Sequence, residues 1–238
     1  HQVNTVEELL EIQNELDNKV VSVTTLESEI NAITNTISTK ENELDILAKN
    51  IHAKRAEAIP VLTNKLASIL ELLGMANARF NIQLNAKDDY FANGKDEIQF
   101  LFSANKGSDF GLLKKVASGG EMSRIMLAVK SILSQYSKLP TIIFDEIDTG
   151  VSGEIAHKMG EIMKQMSTTM QVFAITHLPQ IAGKGSEHFK VYKTVKDNQT
   201  QSELKLLTQE ERITEIAQML SGANISESAL NHAKELLN

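Results

Sequence analysis

The chain has 238 residues, 42% of them hydrophobic and 23% charged, which suits a packed core and excludes a disordered polyelectrolyte. It contains no cysteine, and this excludes a disulfide framework, a thiolate zinc site and a cysteine nucleophile. Thirty-one acidic against 24 basic residues give a net charge of −7, so overall charge makes no case for a nucleic-acid or anionic-membrane binder and leaves only a local basic patch open. No segment approaches the ~18 consecutive apolar residues of a transmembrane helix, and no membrane association is expected. The first residues, His1-Gln2-Val3-Asn4, show neither an initiator methionine nor a signal-peptide pattern and open inside a polar helical pattern. The chain is therefore expected to be a fragment or processed form of something longer, cytoplasmic by default.

In chain order, residues 1–59 lack glycine and proline and carry apolar residues at a strict step of seven: Leu9, Leu16, Val23, Ile30, Ile37, Leu44 and Ile51. A second seam holds Ile12, Leu26, Ile33 and Leu47, interrupted by Lys19, Lys40 and Lys54. Apolar residues alternating at three and four predict a coiled-coil helix, an arm of roughly 75 Å for fifty residues. A long helix lying on its own domain is the second reading, but the stripe outruns a domain of the remaining size. Thr24, Thr25, Thr34, Thr36 and Thr39 lower helix propensity, so the arm depends on a partner helix. The chain holds no second heptad run, and the partner must come from elsewhere.

A connecting helix at 60–75 continues through Leu62, Leu66, Ile69, Leu70 and Leu73 and stops near Gly74. The remainder, 76–238, predicts an α/β domain. Strands are expected at 80–84 and 98–102, the turn Asn93-Gly94 falling between them, and a helix at 122–136. Two short apolar strands, 141–144 and 171–175, look buried on both faces of a mainly parallel sheet, with a helix at 153–165 between them. Residues 189–193 predict an edge strand. Thr208 and Glu211 form a capping box that opens a C-terminal helical region.

Three short motifs carry the chemistry. Ser118-Gly119-Gly120-Glu121 stands where a loop enters a helix. Two glycines there let backbone N–H groups approach an anion, the helix start adds partial positive charge and the serine adds a donor. The same residues also read as an N-cap serine in a flexible loop. Asp145 and Glu146 end an apolar strand, at the sheet edge where ligands of α/β proteins bind. Asp145 can hold Mg²⁺ and Glu146 can polarise a water for phosphoryl transfer; a solvated strand end is the plainer reading, weakened by a third acid at Asp148. His177 follows the next buried strand, and its imidazole can hydrogen-bond a terminal phosphate or be structural. All three motifs converge on one edge of one sheet.

In this order the motifs resemble the C-terminal half of an ABC-type ATPase head, and the coiled-coil arm narrows the resemblance to the SMC-like group. The stretches 115–128, 144–153 and 176–180 are most similar to the RecN family of bacterial DNA double-strand-break repair proteins. The likeness is strongest over 98–193, and the arm matches only in kind. The resemblance implies that Ser118, Gly119 and Gly120, with Glu121, form the signature motif contacting ATP on an opposing head. It further implies that Asp145 is the Walker B acid holding Mg²⁺, Glu146 the catalytic glutamate, His177 the switch histidine and Ser152 a D-loop residue. Ala117 stands where many members carry leucine. Ser152 stands where the D-loop usually has an aspartate, so no role needing a carboxylate carries over to it.

No stretch matches the phosphate loop G-x-x-x-x-G-K-[ST]. SMC-type heads place that loop in an N-terminal lobe joined by an outgoing coiled coil. The resemblance thus implies that this chain is the returning arm and C-terminal lobe, partnered by the N-terminal lobe of the same protein. It also implies a homodimer through ATP-engaged heads, DNA as a partner, and a place at the bacterial nucleoid. Lys114, Lys115, Lys190, Lys193 and Lys196 are candidate DNA-phosphate contacts, with solvated lysines the plainer reading.

Overall fold

The computed structural model describes residues 5–137, 139–196, 199–222 and 224–237; the His1–Asn4 opening lies outside them. In chain order the elements are α1 (Val6–Leu72), β1 (Arg79–Phe91), β2 (Gly94–Ser103), β3 (Gly111–Leu112), α2 (Leu113–Val116), α3 (Gly119–Ser134), β4 (Thr141–Asp145), α4 (Gly153–Met166), β5 (Gln171–Ile175), α5 (Pro179–Ala182), β6 (Phe189–Lys196), β7 (Gln199–Leu206), α6 (Gln209–Ser221) and α7 (Glu227–Leu237). Among the described residues no helix is long and apolar enough to cross a membrane. The chain divides into two compact units, His1–Glu57 with Leu84–Glu97, and Ala58–Gln83 with Ile98–Asn238.

In the first unit, every heptad residue from Leu9 to Ile51 is exposed. The threonines satisfy their hydroxyls on the preceding turn, Thr34 Oγ1 donating to Ile30 O at 2.8 Å and Thr39 Oγ1 to Asn35 O at 2.9 Å. Such back-bonds solvate the hydroxyl without adding tertiary contacts. What does hold this helix is the hairpin tip of β1 and β2. The turn sits one residue earlier than expected, at Ala92-Asn93, with Gly94 already in β2, and Asn93 O accepts a 2.8 Å bond from Arg55 Nη2. Gly94 has φ +118°, a conformation that side chains avoid.

Two carboxylates pin the tip to the helix. Asp96, whose side chain is 2% exposed, accepts from Arg55 Nη1 at 2.8 Å and lies 2.6 Å from His52 Nδ1. Asp45 accepts from Tyr90 Oη at 2.6 Å and Lys95 Nζ at 2.9 Å, with the Lys95 ammonium also 4.2 Å from the Tyr90 ring centroid.

The second unit packs the end of α1 into its core. Leu66, Leu70 and Leu73 are buried with Phe102, Ile125, Leu127, Phe144 and Met159. The helix stops as the sequence predicts: Gly74 takes φ +74°, Met75 N–H bonds Leu70 O at 2.8 Å and Gly74 N–H bonds Glu71 O at 3.1 Å, the paired closure of a Schellman end. Strands β4 and β5 pair in parallel, Thr141 opposite Gln171 through Asp145 opposite Ile175. The α/β class with a long N-terminal helix is the observed one, but two finer expectations need correction. Among the described residues the parallel pair is β4 with β5, while β2–β3 and β6–β7 are antiparallel. Nor are these strands buried on both faces. Phe144 is buried, whereas Ile143, Phe173 and Ile175 on the opposite face are exposed, because nothing among the described residues packs there.

The expected edge strand is half of a hairpin, with β6 paired to β7 from Phe189 opposite Leu206 to Lys196 opposite Gln199. Its apolar face, with Phe189, Val191, Val195, Leu204 and Leu206, is exposed. Its other face is polar: Tyr192 Oη and Thr194 Oγ1 donate to Glu203, and Lys190 and Lys205 pair with Glu215 and Glu211 of α6. The predicted capping box opens α6, Thr208 N–H donating to Glu211 Oε2 at 2.9 Å and Glu211 N–H to Thr208 Oγ1 at 3.3 Å. A small cluster of Ile216, Ala217, Ala229 and Ala233 joins α6 to α7.

The hydrogen bond from His52, and then that from Arg55, hold the Asp96 carboxyl below its ordinary value. A carboxylate depressed in the folded state stabilises fully above its unfolded value near ~3.9, and that stabilisation is lost as pH falls through the folded value. The hairpin should therefore stay seated on acidification to about pH 4 and loosen below it. Asp96→Asn should weaken the seat by ~2–3 kcal/mol and flatten this acid dependence, both read from hydrogen exchange of the hairpin amides.

Candidate functional site

The site lies at the carboxyl ends of β4 and β5. Parallel pairing of Asp145 with Ile175 brings the two following loops out side by side. Asp145 and Glu146 end one strand, and Thr176 and His177 end the other. The carboxylates of Asp145 and Glu146 are exposed, and among the described residues neither is bonded to another side chain. The His177 side chain is 73% exposed, with Nδ1 3.6 Å from Asp148 Oδ2.

Glu146 is the one described non-glycine residue with positive φ, at 48°. Left-handed backbone costs an ordinary side chain ~1–2 kcal/mol, so neighbours must hold it there. Glu146 N–H reaches Ile175 O at 3.3 Å, and Glu146 O accepts from Thr149 Oγ1 at 2.9 Å. These bonds turn the chain sharply after Asp145 and send the two successive carboxylates out of the strand end.

The third motif meets the same edge through backbone. A Cβ on Gly120 would stand 3.4 Å from Thr149 O, so the start of α3 rests against the loop after Glu146. A Cβ on Gly119 would meet nothing within 4 Å. Ser118 is the N-cap of α3, and its N–H and hydroxyl each donate to Glu121 Oε2 at 2.8 Å. Glu121 is thereby committed to Ser118, and the open donors of this end are the first backbone N–H groups of the helix. Arg124 fixes its direction, with Nη1 donating to Leu73 O at 2.9 Å and Nε to Gly120 O at 3.1 Å. Ala117 packs partly buried against the core. Ser152 caps α4 by position, but its hydroxyl makes no capping bond. Gly150 and Gly153 on either side take φ +73° and +59°.

The structure thus gathers Ser118, Gly119, Gly120, Asp145, Glu146 and His177 on one edge. Among the described residues no three histidine or acidic side chains form a preformed metal cluster. A hard cation bound here would take Asp145 as one oxygen ligand and complete its shell with phosphate and water, the usual arrangement for Mg²⁺ with nucleotides. Of the candidate basic residues, Lys190 is taken up by Glu215, Lys114, Lys115 and Lys193 are exposed, and the Lys196 side chain lies outside the described residues. Sequence reasoning missed the left-handed Glu146, the Arg124 clamp and the pairing of Asp148 with Thr176. Only Asp148, noted as a third acid, left any signal. Since an αL position favours glycine, Glu146→Gly should be about 1 kcal/mol more stable than Glu146→Ala, reversing their usual order in a thermal melt.

No protein-family profile matches the chain. The chain is 46% identical over 185 residues to the DNA repair protein RecN of Deinococcus radiodurans, covering 78% of this chain and 32% of that protein. The RecN proteins of Rickettsia typhi and Haemophilus influenzae are 45% and 40% identical, each over 78% of this chain and 33% of their own length. Among solved structures, the Smc head domain with a coiled coil and joint from Pyrococcus yayanosii aligns with a TM-score of 0.63 at 17% identity, over 91% of this chain and 39% of that one. The Smc head domain with an extended coiled coil from Pyrococcus furiosus, bound to the C-terminal domain of ScpA, aligns at 0.57 and 17%, over 87% and 50%. These two likenesses show an Smc-head fold. Over some 185 residues the chain is thus similar to RecN proteins, and it spans about a third of the length of the curated relatives it matches.

Proposed function

We propose that this chain is the signature, Walker B and switch-histidine part of an SMC-like ATPase acting in DNA double-strand-break repair and recombination. One observation carries the reading: the start of α3, the Asp145-Glu146 turn and His177 meet at one edge of the β4–β5 pair. The repair role rests on the identity to RecN proteins. With it come DNA as a partner and a place in the bacterial cytoplasm at the nucleoid.

In this reading residues 1–59 are a coiled-coil arm, 60–75 a connecting helix and 76–238 the C-terminal lobe of the head. An N-terminal lobe of the same protein brings the phosphate loop and the outgoing helix. The exposed stripe from Leu9 to Ile51 supports a second helix as its cover. The exposed apolar faces of β4–β5 and β6–β7 likewise support a further lobe packed on them.

Two heads then close on ATP. The first N–H groups of α3 hydrogen-bond the terminal phosphate of a nucleotide on the opposing head, and the Ser118 hydroxyl joins them by turning its proton from Glu121 to that phosphate. Glu146 accepts a proton from the attacking water and aims it. His177 donates to the terminal phosphate of the nucleotide on its own head, the one Glu146 addresses, and the Ser152 hydroxyl is free to hydrogen-bond across the interface. Asp145 holds Mg²⁺, which when bound offsets phosphate charge.

In the protein carrying both lobes, Glu146→Gln should preserve ATP binding and lower turnover by at least ~100-fold. Ser118→Arg should leave single-head ATP binding intact and abolish ATP-dependent dimerisation, measured by sedimentation. The 238-residue chain alone should not hydrolyse ATP. A Glu146-dependent rate from that chain would overturn the division of labour between lobes.

A further inference from the structure

Asp148 stands apart from the other acids of this loop. Asp145 and Glu146 face solvent, while Asp148 is 1% exposed. Its Oδ2 accepts the Thr176 hydroxyl, and its Oδ1 is buried without a partner among the described residues. A carboxylate held in this way is costly unless its bonds fix something, since burial of charge is not repaid by one hydrogen bond. Thr176 Oγ1 in turn accepts the Leu178 N–H at 3.0 Å, so one hydroxyl ties Asp148 to the chain on both sides of His177. The imidazole Nδ1 lies 3.6 Å from the same Asp148 oxygen. Two ties therefore join the β4 and β5 ends: Glu146 N–H to Ile175 O through backbone, and Asp148 to Thr176 through side chains. Between these ties stands Glu146 in its left-handed conformation.

We propose that Asp148 and Thr176 are positioning residues whose buried hydrogen bond latches the turn carrying Glu146 to the strand end carrying His177, so that both side chains address one phosphate. The latch rests on the ATPase reading above and gives it a regulator of geometry. Neither residue touches nucleotide. Without the latch, the Glu146 turn relaxes toward right-handed backbone and the two side chains lose their common aim. A displacement of about 1 Å in such a group costs on the order of 100-fold in rate.

The test is made in the protein carrying both lobes. Asp148→Ala and Thr176→Val should each lower kcat for ATP by on the order of 100-fold, with KM held within about threefold. Thr176→Ser, which keeps the hydroxyl, should retain wild-type kcat. The double variant Asp148→Ala/Thr176→Val should be no slower than the slower single variant, because the two residues act as one unit. Unchanged kcat in a folded Asp148→Ala protein, a loss confined to KM, an inactive Thr176→Ser or additive losses would each overturn the proposal. If Thr176→Val fails to fold, with a buried carboxylate left unpaired, Asp148→Ala and Thr176→Ser decide the matter. Hydrogen exchange reads the latch without turnover: Glu146 and Leu178 amides should exchange about tenfold faster in Asp148→Ala and at the wild-type rate in Thr176→Ser. Equal exchange in Asp148→Ala would also sink the latch. Failure of the ATPase reading looks different, since it shows as no turnover in the wild type, or as full turnover in Glu146→Gln.

Discussion

Everything at the candidate site depends on five residues of parallel pairing between β4 and β5. A parallel ladder brings both carboxyl ends to the same edge, so the residues that follow each strand emerge as neighbours although about thirty positions separate them. The Asp145-Glu146 turn and the Thr176-His177 segment are neighbours for that reason alone. The start of α3 joins them because Gly120, lacking a side chain, lets its backbone lie on the Thr149 carbonyl. Shift the pairing by one residue and every carboxylate changes face. The bond from Glu146 N–H to Ile175 O and that from the Thr176 hydroxyl to Asp148 guard that register.

The same pair is also incomplete. Phe144 is packed into a core with the end of α1, whereas Ile143, Phe173 and Ile175 are open on the reverse face. The β6–β7 hairpin repeats the pattern, with charge-paired residues turned toward α6 and apolar ones turned outward. Unpartnered apolar surface on this scale is unusual for a self-sufficient domain. It agrees with a chain that spans a third of its relatives.

Long-period and end-of-element signals were the legible ones. The long helix under the heptads, Gly74 as a helix stop, the Thr208–Glu211 box and the two apolar strands each follow from local stereochemistry, and each is found where the sequence puts it. That Asp145-Glu146 and His177 share a carboxyl edge was legible too, since it needs only two parallel strands. What stayed hidden depends on long-range pairing. Strand β7 reads as polar because its partner face meets the charged side of α6, so alternation there is weak. No residue type marks Glu146 as left-handed, and the bond its N–H gives to Ile175 O depends on the pairing of β4 with β5. Asp148 looks like its acidic neighbours until burial separates it from them.

The hairpin seated on α1 does more than hold the helix. Asp45, Ala48, His52 and Arg55 lie along one line of the helix and are occupied by the tip. Leu44 and Leu47 lie one residue away, about 100° around the axis, and remain open, while Ile51 is partly covered by Gly94 of the tip. The hairpin thus acts as an index mark that fixes the rotational phase of the helix. In the coiled coil proposed above, the second helix would meet α1 from the quadrant that the hairpin leaves open.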